Sequence, residues 1–494
     1  MQNPDFFANI GAKEAGNVLW DVLRFGRPVL PERPTSPIIH SFLLMEYALS
    51  EHMTFKKLLR SALPCILMMI AISVYSVVDG FFVSNFAGKA AFSGLNLIFP
   101  VVMVLGSLGF MMGTGGSALV AKRFGEKREE EGNRCFSNCF FFTIILGVVS
   151  SLAVVFFLPQ IATAMGADEE MLPHCLDYGR IMVLGVTAFN LQNMFQSFFT
   201  AAEKARLGFL VTMIAGVVNI AMDAILIVGA KLGVVGAAIG TVIGQCVGAI
   251  IPIFYFARKN PSLLRLRPAS FHWPSIGRMS LNGLSEFLAN ISASAVSIVL
   301  NIGLMRHFGQ NGVGAYGIIC YVWLIFAACF IGFNIAIAPR VSYALGAQNK
   351  EELQNLFRKA MVILLGFGLL QCSLSLALTV PLANAFAGYD EALLSLTIHA
   401  SLIYSLVYLF LGFNMFGSSF FTALNNGVVS LILSVMRLGV IELLCIILLP
   451  SVMGGEGLWW SIPIAEGIGL FMNIGTMAYF GRKYGYLPEP EPQN

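Results

Sequence analysis

Charge is what this sequence lacks. Asp, Glu, Lys and Arg make up 12% of its 494 residues, against 57% hydrophobic ones. That is more apolar surface than a water-soluble fold buries, so the bilayer must be the solvent. The net charge of +3 is too small and too scattered for a nucleic-acid footprint. Nine cysteines stand singly, without a CxxC pair or a His/Cys cluster at metal-ligand spacing, and read as small core residues. A GxxxxGK[ST] loop is absent, which argues against a built-in ATPase. HExxH and GxGD-type signatures are absent too, which argues against a membrane-embedded protease or transferase. No cleavable signal peptide opens the chain. Residues 1–55 read as a polar arm punctuated by Pro28, Pro31, Pro34 and Pro37, with a short amphipathic helix near 17–25.

What is present is a series of apolar runs. Twelve are long enough to cross a hydrocarbon core of about 30 Å. Their limits read as 61–85, 91–119, 135–158, 176–202, 207–229, 233–257, 279–305, 313–340, 358–383, 392–422, 427–450 and 456–481. Of the 30 Lys and Arg residues, 25 fall on the side of the termini; Lys89, Arg180, Lys231 and Arg306 fall on the other, and Arg437 lies within a span. The positive-inside rule then puts both termini in the cytoplasm.

Sliding the chain against itself by about 222 residues lays QSFFTA (196–201) on SSFFTA (418–423). The same shift lays the ladder Gly236, Gly240, Gly244, Gly248 on Gly457, Ser461, Ala465, Gly469, and Gly125 on Gly346. Spacing by four puts small residues on one helix face, where a neighbouring helix can approach closely. The expected fold is an all-α membrane protein of twelve transmembrane helices in two six-helix lobes related by an internal repeat. The divisions are an arm at 1–55, a first lobe at 56–257, a linker at 258–278, a second lobe at 279–481 and a tail at 482–494. A repeat of parallel copies predicts a cavity between the lobes and alternating access around it.

Acids inside a membrane are costly and mark functional candidates. Asp79, Asp223 and Thr241 all come out about 9–12 Å below the outer surface, from the helical rise of about 1.5 Å per residue. Asn219 precedes Asp223 by four residues and shares its face. Two acids held close in low dielectric cannot both ionise comfortably, so this layer is expected to hold a proton or, equally well by its oxygen chemistry, a sodium ion. The alternative is that Asn219 and Asp223 only cross-link helices and that Asp79 faces water at a helix end.

The segment VVDGFFVSNFAGKAAFSGLNLIFPV (77–101), the run VVNIAMDAILIVGAKLGVVGAAIGT (217–241) and the six-plus-six repeat together resemble the multidrug and toxic compound extrusion (MATE) transporters, over essentially all of the chain after residue 55. The resemblance implies that the cation site of the prokaryotic members falls on Asp79, Asn219, Asp223 and Thr241, and that the bending proline of helix 1 is Pro64. Ala224 departs from the pattern, since many relatives place proline after that Asp, and should alter helix geometry more than ion chemistry. The shift of 222 carries Asp79 onto Asn301, so coupling is expected in the first lobe. Glu286 loosely resembles the helix-7 acid of another branch; a packing role is the alternative. Arg437 and Glu466 reach mid-membrane in antiparallel spans and are expected to pair structurally.

The expected function is secondary active antiport, not an enzyme activity: export of amphipathic, cationic organic compounds in exchange for H+ or Na+. No cofactor is needed beyond that ion. The expected setting is a monomer in a bacterial or archaeal plasma membrane, with small molecules and the bilayer as partners and no nucleic acid. A lipid-linked oligosaccharide flippase is the nearest alternative; a channel or membrane enzyme is a remoter one.

Overall fold

The computed structural model describes residues 47–86, 89–167, 169 and 171–488. The stretch read as an amphipathic helix near 17–25 lies outside the described residues. Twelve helices follow one another: α1 (Phe55–Phe86), α2 (Lys89–Gly125), α3 (Glu129–Ala164), α4 (Met171–Ala201), α5 (Ala205–Gly229), α6 (Gly233–Ala257), α7 and α8 (273–308 and 310–346), α9 (Lys350–Ala387), α10 (Glu391–Tyr404 with Val407–Ala423), α11 (Gly427–Met453) and α12 (Glu456–Tyr484). No strand occurs among the described residues. The described residues are all-α, in the twelve helices expected.

Helix ends follow local chemistry. Thr54 precedes α1 and its hydroxyl accepts from Lys57 N at 3.3 Å, while Asp390 opens α10 by accepting from Ala392 N and Leu393 N at 2.9 and 3.0 Å. Between α7 and α8 the backbone reverses at Gly309, with φ 62° and ψ −150°, a region that only glycine enters freely. The linker helix also starts earlier than its apolar run: His272 caps it and Trp273 begins α7.

Three departures from straight α-helix matter. α5 widens into a π turn at Ala224–Gly229 immediately after Asp223, α11 does so at Val435–Ile441, and the two pieces of α10 meet at 48°. The first begins at Ala224, directly after the buried acid.

Lipid-facing surfaces are visible as exposed apolar side chains, such as Val149, Leu152, Phe156 and Phe157 of α3 and Leu365, Leu369 and Leu370 of α9. By contrast α4 buries Asn190, Gln192, Asn193 and Gln196, and α12 buries Glu466 and Asn473. These polar inward faces explain why α4 and α12 are less apolar than the other spans.

The two halves press together at the ends of the helices nearest the lysine- and arginine-rich loops, called the basic face below. A Cβ on Gly115 of α2 would lie 2.1 Å from Met279 O, and one on Gly283 of α7 only 1.8 Å from Met111 O. On α8, a Cβ on Gly332 would lie 2.7 Å from Cys65 O of α1. Only residues without side chains permit such backbone approach.

Candidate functional site

The first half gathers polar groups from four helices. α5 delivers Asp223, fully buried, and Asn219 one turn earlier. α6 delivers Gly240 and Thr241. Gly240 makes room for the acid, since a Cβ there would lie 2.5 Å from Asp223 Oδ1. Asn219 Nδ2 donates to Thr241 Oγ1 at 3.4 Å. From α1, Asp79 comes close enough to Asp223 for the two carboxyl groups to act on one another.

The site is rich in unused acceptors. Asp79 Oδ1, both Asp223 oxygens and Asn219 Oδ1 are buried, and no donor among the described residues supplies them. Buried oxygens in that state are costly unless a proton or cation occupies the space among them. Carboxylates are acceptors only, so two of them can bond to one another only through a proton or a bridging cation.

Two aromatic residues were not legible as site residues. Tyr178 of α4, buried, lies within electrostatic reach of both acids. Tyr75 of α1, one helical turn before Asp79, lies beside Gln192 of α4 and feels the Asp79 charge. A tyrosine in an apolar span is too ordinary to stand out by type; the i, i+4 spacing of Tyr75 and Asp79 was the available signal.

The remaining sequence candidates fall elsewhere. Pro64 is buried within α1, which continues through it. Asn301 lies half-buried on α7. In the second half Arg437 Nη1 pairs with Glu466 Oε1 at 2.6 Å, across α11 and α12, and Asn414 Nδ2 donates to Glu466 Oε2 at 2.6 Å. Glu286 on α7 is half-buried and feels Arg437 without bonding it. Glu442, one turn beyond Arg437 and buried, has Glu466 and Arg437 as charged neighbours.

A bilayer-spanning bundle built twice over, with an acid cluster buried in one half, is the architecture of a membrane transporter. The MatE family model matches the chain twice, over residues 64–225 and 287–448. The chain belongs to the MatE family. It is similar to the multidrug export protein MepA of Staphylococcus haemolyticus, 24% identical over 439 residues that cover 86% of this chain and 93% of that one. MepA of Staphylococcus aureus is 23% identical over 424 residues, 85% and 93% of the two chains. Among solved structures, a MOP superfamily transporter from Pyrococcus furiosus, described as having a binding pocket of reversed polarity, superposes with TM-score 0.82 at 22% identity, over 87% of this chain and 97% of that one. A multidrug resistance MATE family transporter in its outward-facing conformation superposes with TM-score 0.81 at 21% identity, over 91% and 100%. The protein is thus a membrane-embedded transporter and not an enzyme.

Proposed function

We propose that this transporter is a cation-coupled antiporter that exports amphipathic organic cations in exchange for H+ or Na+. The supporting observation is the close approach of Asp79 to Asp223 among buried oxygens that no donor among the described residues satisfies. Such a cluster is stable with one positive charge inside it and strained without one. Asn219 and Thr241 complete an oxygen set that either a proton or a hard monovalent ion can use. The drug-export names of the staphylococcal relatives support a substrate of this class.

Antiport follows from competition. A cationic substrate and the coupling ion neutralise the same carboxylates, so arrival of one favours departure of the other. One proton moving down 100 mV releases about 2.3 kcal/mol, enough for an accumulation ratio near fifty at one-for-one exchange, to order of magnitude. The halves rock between two states, with α1 bending near Pro64, and the basic face lies in the cytoplasm of a plasma-membrane monomer.

The test is ion flux in proteoliposomes stimulated by an organic cation such as tetraphenylphosphonium, for wild type, Asp79→Asn and Asp223→Asn. Each variant should remain folded, bind the probe and lose uphill transport. Unchanged uphill transport in both variants rejects the proposed site. Counterflow, in which a gradient of one substrate drives another, separates this carrier from a pore.

A further inference from the structure

The eight residues ahead of α1 tie the two halves together at the basic face. Ala48 to Glu51 turn back on themselves, with Glu51 N donating to Ala48 O at 3.2 Å, and Thr54 then caps α1. Leu49 and Met53 are buried. From the first half, Glu203 between α4 and α5 accepts from Leu49 N at 2.6 Å. Within the first half Lys57 of α1 also pairs with Glu51, and a larger set of anchors comes from the second half. Arg340 of α8 donates through Nη1 to Ala48 O at 2.9 Å and through Nη2 to Tyr47 O at 3.1 Å. On α9, Glu352 accepts from Met53 N at 3.1 Å and pairs with His52, while Asn355 and Lys359 both donate to Met53 O.

Arg340 is the unusual member. It is 7% exposed, and no carboxylate forms an ion pair with it among the described residues. Glu203, Glu51 and Glu352 are near enough to matter electrostatically, but its hydrogen bonds go to the strap carbonyls and the Met53 sulfur. A buried guanidinium whose main partners are backbone carbonyls of one short segment can stay dry only while that segment is seated. If the halves part at the basic face, the strap cannot follow both Glu203 and Arg340.

We infer that Arg340 is a positioning residue that pins the root of α1 to α8, and that the basic face opens only when Arg340 releases Tyr47 and Ala48. The strap enters α1 without an intervening loop, and the far part of α1 carries Asp79. Release at one end of α1 and the charge state at the other are therefore linked through one continuous helix, a link that rests on the function proposed above.

A native reporter lies near this contact: Cys65 is 1% exposed, its backbone meets Gly332 of α8, its thiol lies 3.6 Å from Thr200 Oγ1 of α4, and it is within electrostatic reach of Arg340. In a variant keeping Cys65 as its sole cysteine, the rate of maleimide labelling from the basic face measures opening, with and without tetraphenylphosphonium. Arg340→Gln should speed labelling by about tenfold or more and make it insensitive to the probe, while Arg340→Lys, which keeps a donor and the charge, should recover part of both. Glu203→Gln, which weakens the other anchor of the strap, should speed labelling without touching Arg340. Labelling at the wild-type rate in both Arg340→Gln and Glu203→Gln overturns the inference, as does fast labelling in Arg340→Gln that still responds fully to the probe. If Arg340→Gln does not fold, the Glu203→Gln result decides alone. Fast, probe-insensitive labelling in Arg340→Gln together with normal uphill transport in Asp79→Asn and Asp223→Asn leaves the pin standing and removes the proposed ion site instead.

Discussion

A Cβ on Gly240 would stand 2.5 Å from Oδ1 of Asp223, so the glycine of α6 shapes the space in which the acid of α5 sits. The clash would fall on the far end of a side chain that can rotate, not on backbone. Gly240→Ala should therefore cost little stability, about 1 kcal/mol or less, while displacing the carboxyl from Asp79. The expected outcome is near-normal thermal unfolding in detergent with strongly reduced probe-stimulated ion flux. Flux at the wild-type level would mean that the position of this carboxyl is unimportant.

Asp79 and Asp223 act as one unit if they share a charge. Their neutralisation should be non-additive: Asp79→Asn/Asp223→Asn should transport no worse than the poorer single variant, instead of showing the product of the two losses. Initial rates of uphill uptake for the four proteins measure this. A product of independent losses would separate the acids functionally.

The Arg437–Glu466 pair calls for a stability test. Both side chains are largely buried, at 12% and 3% exposure, so removing one leaves an uncompensated charge. Arg437→Met and Glu466→Gln should each destabilise, by up to about 3–5 kcal/mol for the worse of the two, and Arg437→Met/Glu466→Leu should recover much of the loss. Thermal melts of purified protein check the order. Double-variant protein that melts no higher than the worse single variant would contradict a simple structural pair.

At the basic face, Gly283→Leu should hold the halves apart, because even a Cβ there would meet Met111 O at 1.8 Å. The expected result is faster maleimide labelling of Cys65 with the same reporter as above, and a lower melting temperature. Unaltered labelling would show that α2 and α7 can repack without opening.

Much of this molecule could be read from its residues. Apolar runs marked the spans because a bilayer admits little else, and the shift of 222 residues exposed the duplication because small-residue packing and helix ends repeat together. Depth arithmetic singled out Asp79, Asp223, Asn219 and Thr241; in the structure Asp79 comes near Asp223, and Asn219 donates to Thr241. Arg437 and Glu466 meet as the depths suggested. Other features left little trace. The break in α10 falls at Ser405 and Leu406, with neither proline nor glycine beside it, so no breaker residue announces it. Tyr178 joins the acid pair through helix packing, which no periodicity within α4 encodes. The strap at 47–54 read as part of a polar arm, because its anchors meet backbone carbonyls and amides, groups that every sequence has and none displays.

The π turns carry a consequence for the duplication itself. In α5 the wide turn lies at 224–229, toward the end of the helix; in α11 it lies at 435–441, which the shift of 222 would map onto 213–219, well before Asp223. Two copies of one ancestral unit have thus come to yield at different heights. Their outlines still match, but the compliance of one is no longer the mirror of the other, and a stroke shared between them need not be shared equally.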